Sequence, residues 1–237
     1  MSVIDSPVAT EHRIGLLVAQ GKARKRTAPP VAIVIHTTGG GPVKRVVSDT
    51  YATWRARWPA AAVSPFEAAC WVFTAASPAS GHYVVGQAGE CVQVVPEDLI
   101  AWHVGAKDAE RYSLPLSGWC APDLRWWPER WPGLSSPVEL AGGRLWRGGS
   151  CNGASIGIEV APSVDDPTGP WSDACWRTLV ALVSEICLRR EIPCMRTHVV
   201  THSDAHPYAR TARGRPWDPS EAAWSWDEFA QRSGGPF

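Results

Sequence analysis

Two histidines stand at the ends of apolar, β-branched runs. His36 closes Val31-Ala-Ile-Val-Ile35, and His202 closes Thr197-His-Val-Val-Thr201. A run without polar alternation reads as a buried strand covered on both faces, and α/β proteins place ligands beyond the C-terminal ends of such strands. Imidazole is the commonest zinc ligand and an acid–base group that titrates near neutrality. A lone strand-end histidine is more often structural, so the two must be read with their surroundings. Asp218, in Gly214-Arg-Pro-Trp-Asp-Pro219, is either a turn former before proline or a third, oxygen ligand. Two His and one Asp would leave a fourth tetrahedral position for water, as a catalytic zinc site requires. Glu159 is the one carboxylate in the apolar run Ile156-Gly-Ile-Glu-Val160. A carboxylate there is either salt-bridged or functional, and beside a metal it would serve as a base for water.

His198, His202 and His206 form H-x-x-x-H-x-x-x-H. The β-branched context argues for a strand, and no Glu follows the first His as the zincin pattern requires. On a strand His198 and His202 share a face about 13 Å apart, at ~3.3 Å per residue, too far for one ion. His202 is therefore the candidate ligand, and His198 and His206 are expected not to be.

These residues need strands to hold them. His82–Val85 and Glu90–Val95, joined by Gln87-Ala-Gly-Glu90, predict a β-hairpin, and Ser155–Val160 predicts a further strand. Trp171 to Arg190 predicts the best helix: Ser172 and Asp173 are cap candidates, and Trp176, Leu179, Val180, Val183, Ile186 and Cys187 share one face. A helix is expected over 49–58 and another in the tail, 220–231, whereas 65–76 gives no clear signal. Residues 1–30 read as a basic N-terminal arm with one short helix at 11–20. The expected class is α/β, a mixed central β-sheet flanked by helices. Residues 31–232 form the main domain, interrupted at about 106–150 by a Trp-rich insertion carrying Trp119, Trp126, Trp127, Trp131 and Trp146. A loop that long is usually functional or an insertion, and this one is expected to wall a cleft.

Composition narrows the function. Lys plus Arg and Asp plus Glu are 23 each, so the net charge is zero, which argues against nucleic-acid binding through bulk electrostatics. Apolar residues are 45% and charged residues 19%, as in a folded globular protein. No apolar run reaches the roughly 18 residues that a membrane span needs, and Ile14–Ala19 is too short for a secretory signal core. The 7 Cys are scattered without a C-x-x-C pair, so no disulfide framework is expected. Of the 14 Trp, most are expected in the core and some in a cleft.

Six segments, taken in order, resemble the zinc-dependent N-acetylmuramoyl-L-alanine amidases of the amidase type 2 and peptidoglycan-recognition superfamily. They are A-I-V-I-H-T-T at 32–38, S-G-H-Y-V-V-G-Q-A-G-E at 80–90, V-V-P-E-D-L-I-A-W-H-V-G at 94–105, N-G-A-S-I-G-I-E-V-A at 152–161, T-H-S-D at 201–204 and G-R-P-W-D-P at 214–219. The resemblance implies Zn2+ held by His36, His202 and Asp218, with Glu159 as the base acting on water. It implies cleavage of the amide between N-acetylmuramic acid and L-alanine in peptidoglycan or muropeptides. Trp102 and His103 are then expected as cleft walls, and Asn152 as a further substrate-binding residue.

Three departures stand out. This chain has His36-Thr37-Thr38 where such enzymes often have His-His-Thr. The lysine expected two residues before the last ligand is Pro216, which has neither charge nor N–H. The link from His103 to Ser155 is longer than usual by roughly forty residues. Among the nearby cations Arg196, Arg210, Arg213 and Arg215, Arg215 directly precedes the vacant position and is expected to stabilise the developing oxyanion. The alternative is a peptidoglycan-binding module of the same fold without catalysis. A third reading is a zinc amidase acting on another N-acyl substrate. A monomer is expected, acting in the cytoplasm as a recycling enzyme, or released by lysis or dedicated export as an endolysin or effector.

Overall fold

The computed structural model describes residues 5–9, 11–12, 23–38, 64–73, 79–104, 151–163, 165–166, 169–196, 198–205, 218–220 and 222–234. The expected helix over 49–58 and the insertion at 106–150 lie outside these residues. Among the described residues, β1 (Glu11–His12), β3 (Ala32–Thr37), β4 (Tyr83–Val85), β5 (Cys91–Gln93), β7 (Ser155–Val160) and β8 (Val199–Thr201) form one sheet in the order β1-β5-β4-β7-β3-β8. Only β4 and β5 pair antiparallel, as the expected hairpin; the other neighbours are parallel. A second sheet pairs β2 (Ala23–Lys25) antiparallel with β6 (Leu99–Ala101).

The side-chain alternation of β3 and β7 divides the molecule into two layers. Ile33, Ile35, Ile156, Ile158 and Val160 face α3 (Asp173–Arg190) and join its Leu179, Leu182, Val183 and Ile186 in one buried core. Ser172 caps that helix by accepting from the Cys175 amide at 3.1 Å, and Glu191 closes it in the left-handed conformation. The opposite face of β3 carries Val34, which packs with Val104, with Val200 and with Cys151 of the short helix α2 (Cys151–Ala154). His36 and Glu159 share that second face by the same parity, and they are direct register partners.

The sequence readings and the structure differ at four places. Glu11–His12 pairs as a strand with Val92 and Gln93, so the helix expected at 11–20 does not begin there. The segment read as an arm supplies β1 and β2 because unpaired edges of both sheets accept its backbone. The unassigned stretch at 65–76 opens with α1 (Pro65–Trp71), capped by Ser64. The tail helix is α5 (Trp226–Ser233), starting later than expected because Ser225 supplies its cap.

Trp171, Trp176, Trp224 and Trp226 are buried and pack on one another and on Phe229, with Trp176 and Trp224 stacked at 5.4 Å. They join α3 to α5. Glu97, at the turn before β6, is buried between α3 and the sheet. It accepts from Arg189 at 2.6 and 2.7 Å, from Arg190 at 2.5 Å and from Tyr83 at 2.5 Å. Six described cysteines are free thiols. Among the described residues, no helix is long and apolar enough to cross a membrane.

Candidate metal centre

Three parallel strands bring the site together. His36 lies in β3, Glu159 in the adjacent β7, and His202 opens the short helix α4 (His202–Ala205) directly after β8 on the other side of β3. Strand order therefore places groups far apart in the chain at one end of one sheet. His36 Nδ1 lies 3.0 Å from His202 Nδ1, His202 Nδ1 lies 2.9 Å from Asp218 Oδ2, and His36 Nδ1 lies 3.7 Å from the same oxygen. A tetrahedral ion with bonds of ~2.05 Å separates its ligand atoms by about 3.3 Å, which this triangle matches. Among the described residues this is the group of His, Cys, Asp and Glu able to hold a metal. Glu159 lies beside this triangle, with its Oε1 4.0 Å from His36 Nδ1. His198 is not part of the group, and His206 lies outside the described residues.

The chemistry of the donors fits a cation. Asp218 is buried, and its Oδ1 accepts the Thr37 amide at 2.5 Å, which leaves Oδ2 toward the histidines. Burial pushes its carboxyl up, but the hydrogen bond with His202 and the neighbouring His36 ring outweigh that and hold it well below the usual carboxylate range. An ionised oxygen and two imidazole nitrogens thus converge within a buried volume, where electron-rich atoms need a shared positive charge.

Around this triangle lies an arrangement that sequence reasoning did not find. His103, expected as a cleft wall, is 6% exposed, and its Nδ1 lies 3.0 Å from His36 Nε2. Burial, reinforced by His36, His82 and Arg26, holds it neutral, well below the usual histidine range. Asn152, expected to touch substrate, is also buried. Its Oδ1 accepts from the His103 and Val104 amides and its Nδ2 donates to the Val104 carbonyl, so it fixes the backbone beside His103. Trp102 is half-buried, with the Arg24 guanidinium 5.2 Å above its ring.

Arg26 is half-buried and donates to the carbonyls of Glu97, Gly153 and Ser155. His82 accepts the Gly157 amide on Nδ1 and faces the Leu99 carbonyl through Nε2 at 3.1 Å. Nothing in the polar N-terminal segment marks Arg26. Gly157 did carry a signal: a glycine inside an apolar strand marks a close approach, and a Cβ there would lie 2.4 Å from the His103 ring. Gly81 has a similar role, since a Cβ would come within 2.8 Å of Glu159 Cγ. Arg196, one of the four candidate cations, instead faces α5, with its guanidinium 5.5 Å from the Trp226 ring. Arg210, Arg213 and Arg215 lie outside the described residues.

Comparison with known proteins gives a family. The Amidase_2 family model, described as N-acetylmuramoyl-L-alanine amidase, matches residues 26–221. No curated protein matches. Among solved structures, the selenomethionine derivative of AmpD is similar in fold, with a TM-score of 0.53 and 20% identity, covering 96% of this chain and 95% of that one. PlyL aligns with a TM-score of 0.48 and 16% identity over 94% of this chain and 95% of its own. AmiD from E. coli, in complex with anhydro-N-acetylmuramic acid-L-Ala-D-gamma-Glu-L-Lys, aligns with a TM-score of 0.46 and 21% identity over 90% of this chain and 62% of its own. Because the family match runs from Arg26 through most of the chain, this protein is an enzyme of the N-acetylmuramoyl-L-alanine amidase family.

Proposed function

We propose that the chain is a zinc-dependent hydrolase that cleaves the amide between N-acetylmuramic acid and L-alanine in peptidoglycan or muropeptides. The observation that carries this reading is the convergence of His36 Nδ1, His202 Nδ1 and Asp218 Oδ2 beside Glu159, inside the family match. These three residues would hold the ion. When bound, zinc supplies a Lewis acid that polarises an amide carbonyl and acidifies water. Glu159 takes the proton of the attacking water at a carboxylate oxygen and returns it to the departing L-alanine nitrogen, as a base and then an acid. Thr37 and the β3 backbone hold Asp218 in place by the amide hydrogen bond to Oδ1. Arg215 remains our candidate for the cation beside the developing oxyanion, in the role the sequence leaves vacant at Pro216.

The test is mass spectrometry of purified peptidoglycan treated with the enzyme, with and without a chelator. Stem peptides with a free L-alanine amine, and glycan carrying a free lactyl carboxyl, are the expected products, lost on chelation and restored by zinc. Binding to peptidoglycan without these products would favour the non-catalytic reading.

A further inference from the structure

The site face of the sheet also holds a buried chain of hydrogen bonds that the proposed reaction does not itself use. It starts at the Cys151 carbonyl, which can only accept. The Ser155 hydroxyl, 2.6 Å away, therefore donates its single proton there. With that proton committed, the Ser155 oxygen can only accept from His103 Nε2 at 3.3 Å, which places the His103 proton on Nε2. Nδ1 of His103 is then a lone pair, 3.0 Å from His36 Nε2. That contact is a hydrogen bond only when His36 carries its own proton on Nε2. Nδ1 of His36 is left as the lone pair facing His202 and Asp218.

We propose that His103 is a positioning residue for metal binding: held by Ser155, it accepts the Nε2–H of His36 and fixes the tautomer and ring orientation that present Nδ1 to the ion. The inference rests on reading His36 as a ligand. Several neighbours serve this arrangement and have no other evident task at the site. Gly157 leaves the room in which the His103 ring lies against β7. Asn152 clamps the backbone of His103 and Val104. Arg26 binds the carbonyls of Gly153 and Ser155, so the segment that carries the Ser155 hydroxyl is held through its backbone as well. A partner on the second nitrogen of a ligating histidine sets its tautomer, and removal of such a partner costs about 10–100-fold in metal affinity.

The experiment has two readouts besides activity: zinc affinity by competition with a chromophoric chelator, and long-range 1H–15N NMR of the histidines in the metal-free protein. The wild type is expected to show His36 as the Nε2–H tautomer. His103→Leu should lower zinc affinity by about 10–100-fold and give His36 a mixed tautomer. His103→Gln offers a carbonyl acceptor to the same N–H and should recover much of that loss. Zinc affinity in His103→Leu within about twofold of wild type, with the His36 tautomer unchanged, would overturn the proposal. So would a Gln variant no tighter than the Leu variant. Should His103→Leu not fold, Ser155→Ala decides by the same two readouts, with a weaker loss expected and none refuting. His36→Ala separates the two levels of the argument. Retention of zinc there removes the metal-site reading itself, whereas loss of zinc there with normal binding in His103→Leu removes only the positioning role.

Discussion

Replacing Gly157 with alanine inserts one carbon into the space of His103. That carbon would lie 2.4 Å from Cγ, 2.6 Å from Nδ1 and 2.7 Å from Cδ2 of the ring. Ordinary carbon contacts need about 3.5 Å, so the ring must withdraw by about 1 Å. Gly157 itself cannot yield easily, because β7 is paired on both sides, with β3 and β4. A ring displaced by that much no longer holds Nδ1 in its 3.0 Å contact with His36 Nε2, so that hydrogen bond is weakened or lost. Overpacking costs about 1–3 kcal/mol and the lost hydrogen bond about 1 kcal/mol. Alanine offsets roughly 0.5–1 kcal/mol of this through the lower entropy of the unfolded chain. The expected net loss is about 1–3 kcal/mol, read as a lower urea midpoint at unchanged slope. Zinc affinity should fall together with it. Gly81→Ala is the matched control, because its added carbon would lie 2.8 Å from Glu159 Cγ and not against a histidine. That variant should keep its zinc and lose turnover. A Gly157→Ala protein with wild-type stability and zinc affinity would refute the steric argument, as would equal loss of zinc from the two variants.

Glu159→Gln keeps shape and removes basicity, so it should retain one zinc and lose at least ~10²-fold in kcat; near-normal turnover with zinc bound would reject the role. Asp218→Ala should bind zinc far more weakly than wild type by chelator competition, since it removes the ionised oxygen and leaves the Thr37 amide without its acceptor. Glu97 sets an acid limit on stability. Burial pushes its carboxyl up, but hydrogen bonds from Arg189, Tyr83 and Arg190 outweigh that and hold it at about 2, against an ordinary 4.5. At 1.36 kcal/mol per unit this is about 3 kcal/mol, fully present above pH ~4.5 and lost as the pH falls toward 2. Glu97→Gln should therefore be less stable than wild type at pH 7 and converge with it near pH 2 in urea titrations; a gap independent of pH would contradict the linkage.

Much of the candidate site was legible in the sequence because its residues sit in strong local contexts. His36 and His202 end β-branched runs, Glu159 interrupts one, and a strand places such groups on a definite face by a period of two. The cap and apolar face of α3 were readable for the same reason: Ser172 and the 3.6-residue spacing are local signals. Strand order was not local. Nothing in the chain says that β7 and β8 flank β3, yet that adjacency alone brings Glu159, His36 and His202 within reach of Asp218. His103 was read as a wall because its motif gives its place in the chain and not the direction of its ring; Gly157, on another strand, decides that. The tertiary roles of Arg26 and Glu97 carried no local signal. A charged side chain in a polar stretch looks solvated until tertiary packing removes the water around it, and then its partners, all distant in sequence, determine whether burial costs stability or contributes to it.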